Sequence, residues 1–156
     1  MVANRFEIVP WVAPADMTIT SLSINVTVAG TSALAKAVIY DAIAPGSANG
    51  GMPNTLLAET GDFDCSTTGV KTQTVSVPVK RGRVYWIGYR TSAISTVSAV
   101  APTSFIALPH NAAGSTTGKS QLRRTLTYST ATPSSWAYVQ GEANGNANMP
   151  LIWMGV

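Results

Sequence analysis

The sequence predicts an all-β protein, an antiparallel two-sheet β-sandwich of the jelly-roll-like type. Charged residues make up only 11% of the 156 residues, and the abundance of Thr, Val and Ser favours strands over helices. Apolar residues alternate with polar ones at the two-residue period of a strand. Turn residues separate these segments at intervals of about 8–12 residues, which is typical of sandwiches and barrels. The length suits one domain that spans residues 1–156.

Three strand candidates carry specific expectations. Residues 6–12 are apolar but contain Pro10, which favours an edge strand or an irregular entry. In the next segment the apolar phase flips between Ile19 and Leu22, which predicts a β-bulge or a bend. Residues 84–91 are apolar on both faces, as in a central strand that is covered on two sides. Further strands are expected at 22–28, 33–41, 56–60, 63–65, 71–79, 97–100, 105–108, 121–128, 136–139 and 150–156, the last tied into a sheet.

Three stretches of the chain carry a resemblance to a known family. They read FEIVPWVAPADMTITSLSINVTVAGTSALAKAVIYDA, GGMPNTLLAETGDFDCSTTGVKTQTVSV and GRVYWIGYR. This pattern, over residues 5–91, resembles a module that recurs in tail-fibre, head-fibre and other surface proteins of bacteriophage particles. The resemblance implies a jelly-roll-like sandwich on the particle exterior and no catalytic residues.

The resemblance also implies partners and a location. It implies contacts with other virion proteins of the capsid or tail, assembly in the host cytoplasm, and a homo-oligomer with a trimer as the first expectation. The module begins almost at Met1 and no shaft follows, which favours a capsid decoration protein over a fibre tip. The alternative is a lectin-like receptor-binding module that holds host surface polysaccharide.

Candidate contact residues lie in the C-terminal part of the chain. Aromatic rings beside polar loops can stack on sugars, and neighbouring amides can donate and accept hydrogen bonds. The residues of this kind are Tyr128, Trp136, Tyr138, Asn144 and Asn146. Packing of the rings on the sandwich or at a subunit interface is the alternative. The sequence leaves both interpretations open.

Other motifs favour structural roles. The segment GSTTGKS at 114–120 is one residue short of a phosphate-binding loop and precedes a strand pattern, so a surface loop without nucleotide is expected. His110 is the single histidine, which argues against a catalytic triad. Asp62 and Asp64 favour turn capping over a metal or glycosidase site. Cys65 is the single cysteine, so no internal disulfide forms, and a buried position is expected.

The charge distribution and the length of the apolar runs argue against further classes of protein. The net charge is +3 with a pI near 9.2, but the basic residues are scattered and do not form the patch of a nucleic-acid binder. The longest apolar runs fall far short of the roughly 20 residues of a membrane span, and no signal peptide is visible. We therefore expect a protein without enzymatic activity, cofactor, metal, nucleic-acid partner or membrane insertion.

Overall fold

The computed structural model describes residues 1–47, 49–100, 121–137, 143–144 and 148–156. All regular elements in these ranges are strands. In chain order they are β1 Arg5–Val12, β2 Met17–Val28, β3 Leu34–Ala42, β4 Pro53–Glu59, β5 Phe63–Asp64, β6 Gly69–Val79, β7 Val84–Thr91, β8 Thr96–Val97, β9 Ala99–Val100, β10 Gln121–Thr125, β11 Ala143–Asn144, β12 Met149–Pro150 and β13 Trp153–Gly155.

The larger sheet has seven strands in the order β11-β10-β1-β7-β3-β4, and β5 also pairs with β3. Strand β7 lies in the middle and only its first residue, Val84, is less than fully buried. The prediction of a central strand covered on both faces is therefore confirmed. Gly88 is required at its centre, because a Cβ there would lie 2.0 Å from the carbonyl oxygen of Glu7 on β1.

The smaller sheet has four strands, with the order β13-β2-β6 and β8 also paired with β2. The pairing register of β2 and β6 shifts between Ile19 and Ser21, which confirms the predicted bulge. At this bulge Val75 and Ser76 of β6 lie opposite the single residue Thr20 of β2, and Thr20 and Ser21 are both exposed or partly exposed while Ile19 and Leu22 are buried. The C-terminal β13 pairs with β2, as expected from its apolar sequence. A separate two-stranded pair joins β9 and β12.

The two sheets pack face to face around one main core. Strands β2 and β6 contribute their alternate apolar residues, and β3 and β7 contribute theirs from the opposite side. The chain passes between the sheets from β1 to β2, from β2 to β3, from β5 to β6 and from β6 to β7. The β3–β4 hairpin stays within the larger sheet. The predicted antiparallel β-sandwich is therefore confirmed.

The position of β1 differs from the expectation based on Pro10. The strand lies inside the larger sheet, between β10 and β7. Its pairing with β10 covers only Arg5 to Ile8, whereas its pairing with β7 runs on to Val12. Pro10 thus lies where β1 has a free side among the described residues, and there a missing N–H is tolerated.

Several strand ends also differ from the sequence pattern. Strand β10 ends at Thr125, not at 128, and residues 136–137 lie outside any strand beside an isolated bridge between Thr55 and Ser135. The expected 150–156 strand is divided into β12 and β13. The candidate at 105–108 lies outside the described residues.

Candidate functional site

The outer face of the larger sheet is covered by its own chain. Residues 126–136, the covering segment, cross this face and hydrogen-bond to it. The hydroxyl of Tyr40 donates to the carbonyl of Pro133 at 2.7 Å, and the N–H of Leu56 donates to Ser134 O at 2.8 Å. A second apolar cluster lies on this face, formed by Phe6, Ile8, Val38, Tyr40, Ala42, Met52, Trp86, Leu122 and Trp136.

Arg90 holds the covering segment on the sheet through hydrogen bonds. Its side chain projects from β7 and is only 2% exposed. One guanidinium nitrogen donates to Glu59 at 3.2 Å and to Thr132. The other donates to the carbonyls of Tyr128 at 3.0 Å and Thr130 at 2.6 Å. A planar guanidinium with several fixed donors suits such a multiple attachment.

Trp136 belongs to the core and not to an exposed platform. Its side chain is 3% exposed, and its ring meets Phe6 and Tyr40 edge to face at centroid distances of 4.9 and 5.8 Å. The Arg124 guanidinium lies 3.8 Å from the ring centroid. The burial of this ring favours the packing alternative for Trp136, because a ring that is 3% exposed presents little surface to a ligand. Periodicity did not reveal this, since the partners lie on distant strands.

Tyr128 is half-buried at the start of the covering segment. Its hydroxyl donates to Asp62 Oδ1 at 2.8 Å. The Lys36 ammonium and the Arg90 guanidinium lie 5.8 and 5.7 Å from its ring centroid. Burial, followed by the hydrogen bond to Asp62, raises the pKa of Tyr128. Tyr128 therefore links the covering segment to the loop after β4, and its polar end is already engaged.

The structure does not unite the other candidate contact residues into one site. Tyr138 and Asn146 lie outside the described residues. Asn144 belongs to β11, where its backbone pairs opposite Gln121 at the edge of the larger sheet. His110 and the 114–120 segment also lie outside the described residues.

Glu7 forms a buried polar cluster on the inner side of β1. Its carboxylate is 1% exposed and accepts hydrogen bonds from Tyr89 Oη and Arg123 Nε, with Arg5 at 3.8 Å. Burial, and next the charge of Glu7, raise the pKa of Tyr89. The ion pair to Arg123 of β10 and the ion pair to Arg5 of β1 itself satisfy this buried charge, so the cluster joins β1, β7 and β10.

The remaining chemical candidates have structural roles. Asp64 accepts from the Ser66 N–H at 2.8 Å and from its hydroxyl at 2.5 Å, which is the predicted turn capping. These bonds lower the pKa of Asp64. Cys65 is free and buried, as expected, and burial raises the pKa of its thiol. Within the described ranges, no group of three His, Cys, Asp or Glu side chains could hold a metal, and no helix could span a membrane.

The outer face of the smaller sheet differs from that of the larger one. We call it the hydroxyl face. It consists of Thr18, Thr20, Ser21, Ser23, Asn25 and Thr27 of β2, of Val70, Thr72, Thr74, Ser76 and Pro78 of β6, and of Trp153 of β13. Each of these residues is exposed or partly exposed, and none carries a formal charge. No described segment covers this face.

Trp153 is an exposed aromatic residue of the hydroxyl face, and the sequence did not reveal its exposure. Its side chain is 43% exposed, and it pairs opposite Ser23, which in turn pairs opposite Thr72. The hydroxyls of Ser23 and Thr72 lie 2.8 Å apart. Next to this row, Gly155 leaves room for Ser21, because a Cβ there would lie 2.3 Å from Ser21 Oγ. The alternation of β13 could have shown that Trp153 and Met154 face opposite sides, but not which side is the core.

An apolar groove of about 420 Å³ lies between β1 and the C-terminal strands. Its lining includes Val9, Trp11, Ile87, Met149 and Ile152, and no charged side chain of the described residues lines it. Such a surface can hold apolar groups by burial but offers no general acid, base or nucleophile.

Comparison with known proteins adds no further identification. No protein-family model, curated protein or solved structure matches this chain.

Proposed function

We propose that this chain is a structural protein of a bacteriophage particle, displayed on the particle surface as a capsid decoration or related attachment module. It acts by protein–protein adhesion to other virion proteins and catalyses no reaction. The resemblance of residues 5–91 to phage surface modules supports the particle role. The sandwich supports adhesion, because the outer face of a sheet is a broad surface that a partner protein can contact.

The hydroxyl face is the observation that carries this proposal. Residues 126–136 cover the outer face of the larger sheet, whereas no segment in the described part of the chain covers the outer face of the smaller sheet. Charged groups are depleted in the centres of protein interfaces, and aromatic residues are enriched there. An uncharged face with Trp153 on its end strand β13, opposite Ser23, fits that composition.

The energetics favour Trp153 as the anchor of the contact. Tryptophan is prominent among the few residues that dominate binding energy, each of which costs about 2 kcal/mol or more when truncated. The surrounding Ser and Thr hydroxyls lose little on burial if each finds a donor or acceptor on the partner. The adhesion mechanism that we propose is burial of the Trp153 ring in the partner, with hydrogen bonds from the surrounding Ser and Thr hydroxyls.

Binding of the purified chain to bacteriophage heads that lack it tests the proposal. We expect Trp153→Ala to weaken binding about thirtyfold, the equivalent of about 2 kcal/mol. Leu57→Ala is the matched control, since Leu57 is 41% exposed on β4 of the other sheet, and its effect should stay within about twofold. Equal binding of both variants and the unmodified chain would remove the hydroxyl face from the proposal. Failure of the unmodified chain to bind any head would remove the decoration role.

Carbohydrate binding is the second candidate, and Trp153 favours it. An exposed indole beside a row of hydroxyls is a combination that stacks on a sugar ring and hydrogen-bonds its hydroxyls. A glycan array with host surface polysaccharides would separate this candidate from adhesion to heads. Specific glycan binding that is lost in Trp153→Ala and kept in Leu57→Ala, without binding to heads, would favour it. Under either candidate, prolonged incubation should release no fragments from the polysaccharide.

A further inference from the structure

The turn between β6 and β7 carries positive charge that the fold does not use. Arg81 and Arg83 are exposed, and their side chains form no hydrogen bond or ion pair within the described ranges. Every other lysine or arginine of these ranges has a polar or aromatic partner, namely Arg5, Lys36, Lys71, Lys80, Arg90, Arg123 and Arg124. The unpaired positive charge of the described part of the chain is therefore concentrated at one turn.

Hydrogen bonds hold the backbone of this turn in place. The Arg81 N–H donates to Asp16 Oδ1 at 2.7 Å, and the Gly82 N–H donates to the carbonyl of Ala13 at 2.8 Å. Gly82 has a φ of 75°, in the left-handed region that favours glycine. The backbone that carries Arg83 is thus positioned before any partner binds.

A small apolar recess of about 120 Å³ lies beside the turn. Its apolar lining includes Ile43 and Pro45 of the loop after β3 and Val84 at the start of β7. Among the described residues that line the recess, only Arg83 is charged. Because the Arg83 side chain is exposed and unpaired, its guanidinium is available to a group that enters the recess.

The loop that forms the opposite wall of the recess is also hydrogen-bonded. The Ile43 N–H donates to the carbonyl of Met52 at 2.8 Å, and the Gly51 N–H donates to the carbonyl of Ile43 at 2.9 Å. The indole N–H of the buried Trp86 donates to the carbonyl of Gly51 at 2.8 Å. Both walls are therefore formed in the free chain, which lowers the entropy that a partner loses on binding.

The volume of the recess and its single charge indicate the chemistry of the partner. A cavity of about 150 Å³ holds a benzene ring, so a recess of about 120 Å³ suits one branched aliphatic side chain. A guanidinium binds a carboxylate through two parallel hydrogen bonds. We propose that the recess and Arg83 bind a segment of a partner protein in which a Val, Leu or Ile side chain lies next to Asp or Glu. The aliphatic side chain fills the recess, and the carboxylate accepts hydrogen bonds from Arg83.

Charge complementarity favours an acidic protein segment over other partners. The unpaired charges of Arg81 and Arg83 attract an anion and repel a basic segment. A phosphate group would satisfy Arg83 but supplies no aliphatic group, so it would leave the recess empty. The site lies at the β6–β7 turn and does not include Trp153. This inference therefore concerns the isolated chain and does not depend on the proposed particle role.

Nuclear magnetic resonance titration of the isotope-labelled chain tests the proposal. The probe is the peptide acetyl-Gly-Leu-Glu-Gly-amide. We expect a dissociation constant of about 1 mM, with shifts of the amide signals of Ile43, Gly51 and Val84, because these residues surround the recess. Replacing Leu by Ser or Glu by Gln in the peptide should weaken binding at least about tenfold.

Two arginine variants separate the recess from the charge of the turn. Arg83→Gln should weaken binding of the peptide at least about tenfold, because it removes the guanidinium beside the recess. Arg81→Gln is the matched control, since Arg81 is also exposed and unpaired but does not line the recess. It removes the same charge and should weaken binding less than about threefold. Circular dichroism checks the fold of each variant.

Three results would overturn the proposal. The first is an absence of amide shifts around the recess with the peptide at up to about 10 mM. The second is an equal loss of binding in Arg81→Gln and Arg83→Gln. The third is binding of inorganic phosphate or of single-stranded oligothymidylate as tightly as the peptide, because this would show attraction by charge alone.

Discussion

Arg90→Met is the substitution that tests most sharply how the larger sheet is covered. Methionine keeps an unbranched side chain of similar length, so the packing around the stem is largely retained. The guanidinium is lost, and with it the bonds to Glu59 and Thr132 and to the carbonyls of the covering segment. The change therefore isolates the polar attachment from the apolar contacts beneath it.

The expected magnitude follows from the burial of the site. Arg90 is 2% exposed and the Glu59 side chain is 23% exposed, and without the guanidinium Glu59 keeps the Lys36 ammonium at 3.8 Å and the Thr132 hydroxyl as partners. Breaking a fully buried ion pair costs about 3–5 kcal/mol, so we expect a loss at the lower end, about 3 kcal/mol. The accepting carbonyls lie partly toward water, which limits further loss. Against a typical total stability of about 5–15 kcal/mol, this is a large fraction.

Urea denaturation followed by tryptophan fluorescence measures the effect. We expect a lower midpoint with an unchanged slope. Arg83→Met is the control, because Arg83 is exposed and forms no ion pair among the described residues, and it should change stability by less than about 0.5 kcal/mol. A decrease in the free energy of unfolding of less than about 1 kcal/mol for Arg90→Met would refute the claim that Arg90 holds the covering segment on the sheet.

Three further predictions concern the core, the thiol and acid stability. Gly88→Ala should prevent folding or destabilise the chain by more than about 3 kcal/mol, because the added Cβ would meet a backbone oxygen of β1. A melting temperature close to that of the unmodified chain would contradict the packing of β7. Cys65 should react with a thiol reagent only in denaturant, because its thiol is buried and its pKa is raised; rapid labelling of the native chain would disprove this. The Arg81 N–H, and next the Lys80 side chain, lower the pKa of Asp16 from its ordinary value of 3.8. The contribution of Asp16 to the stability of the fold is therefore present above pH 3.8 and is lost as the pH falls through the lowered pKa. The stability of Asp16→Asn should therefore depend less on pH as the pH falls below 3.8, and an unchanged dependence would exclude this contribution.

Local patterns predicted much of the fold. The flip of apolar phase between Ile19 and Leu22 predicted the bulge, because strand faces alternate strictly and a change of phase requires an irregular pairing with the neighbouring strand. Apolar residues at both parities of 84–91 predicted a strand covered on two sides, which β7 is. These features depend on residues that are close together in the sequence, so they can be predicted from it.

Features that depend on distant contacts could not be predicted. Pro10 indicated an edge strand, yet β10 pairs with the first half of β1 from more than a hundred residues away. Trp136 follows a turn and lies beside polar residues, and only its contacts with Phe6 and Tyr40 show that it is core. The exposure of Trp153 depends on which face of β13 meets β2, and alternation within the strand leaves that undecided.

Footprinting of the bound chain tests the central claim most directly. Hydroxyl-radical oxidation of Trp153 is measured for the free chain and for the chain bound to heads that lack it. We predict that binding protects Trp153 and Val70 of the hydroxyl face while Leu57 on β4 reacts as before. Equal oxidation of Trp153 in the free and bound chain would contradict adhesion through this face.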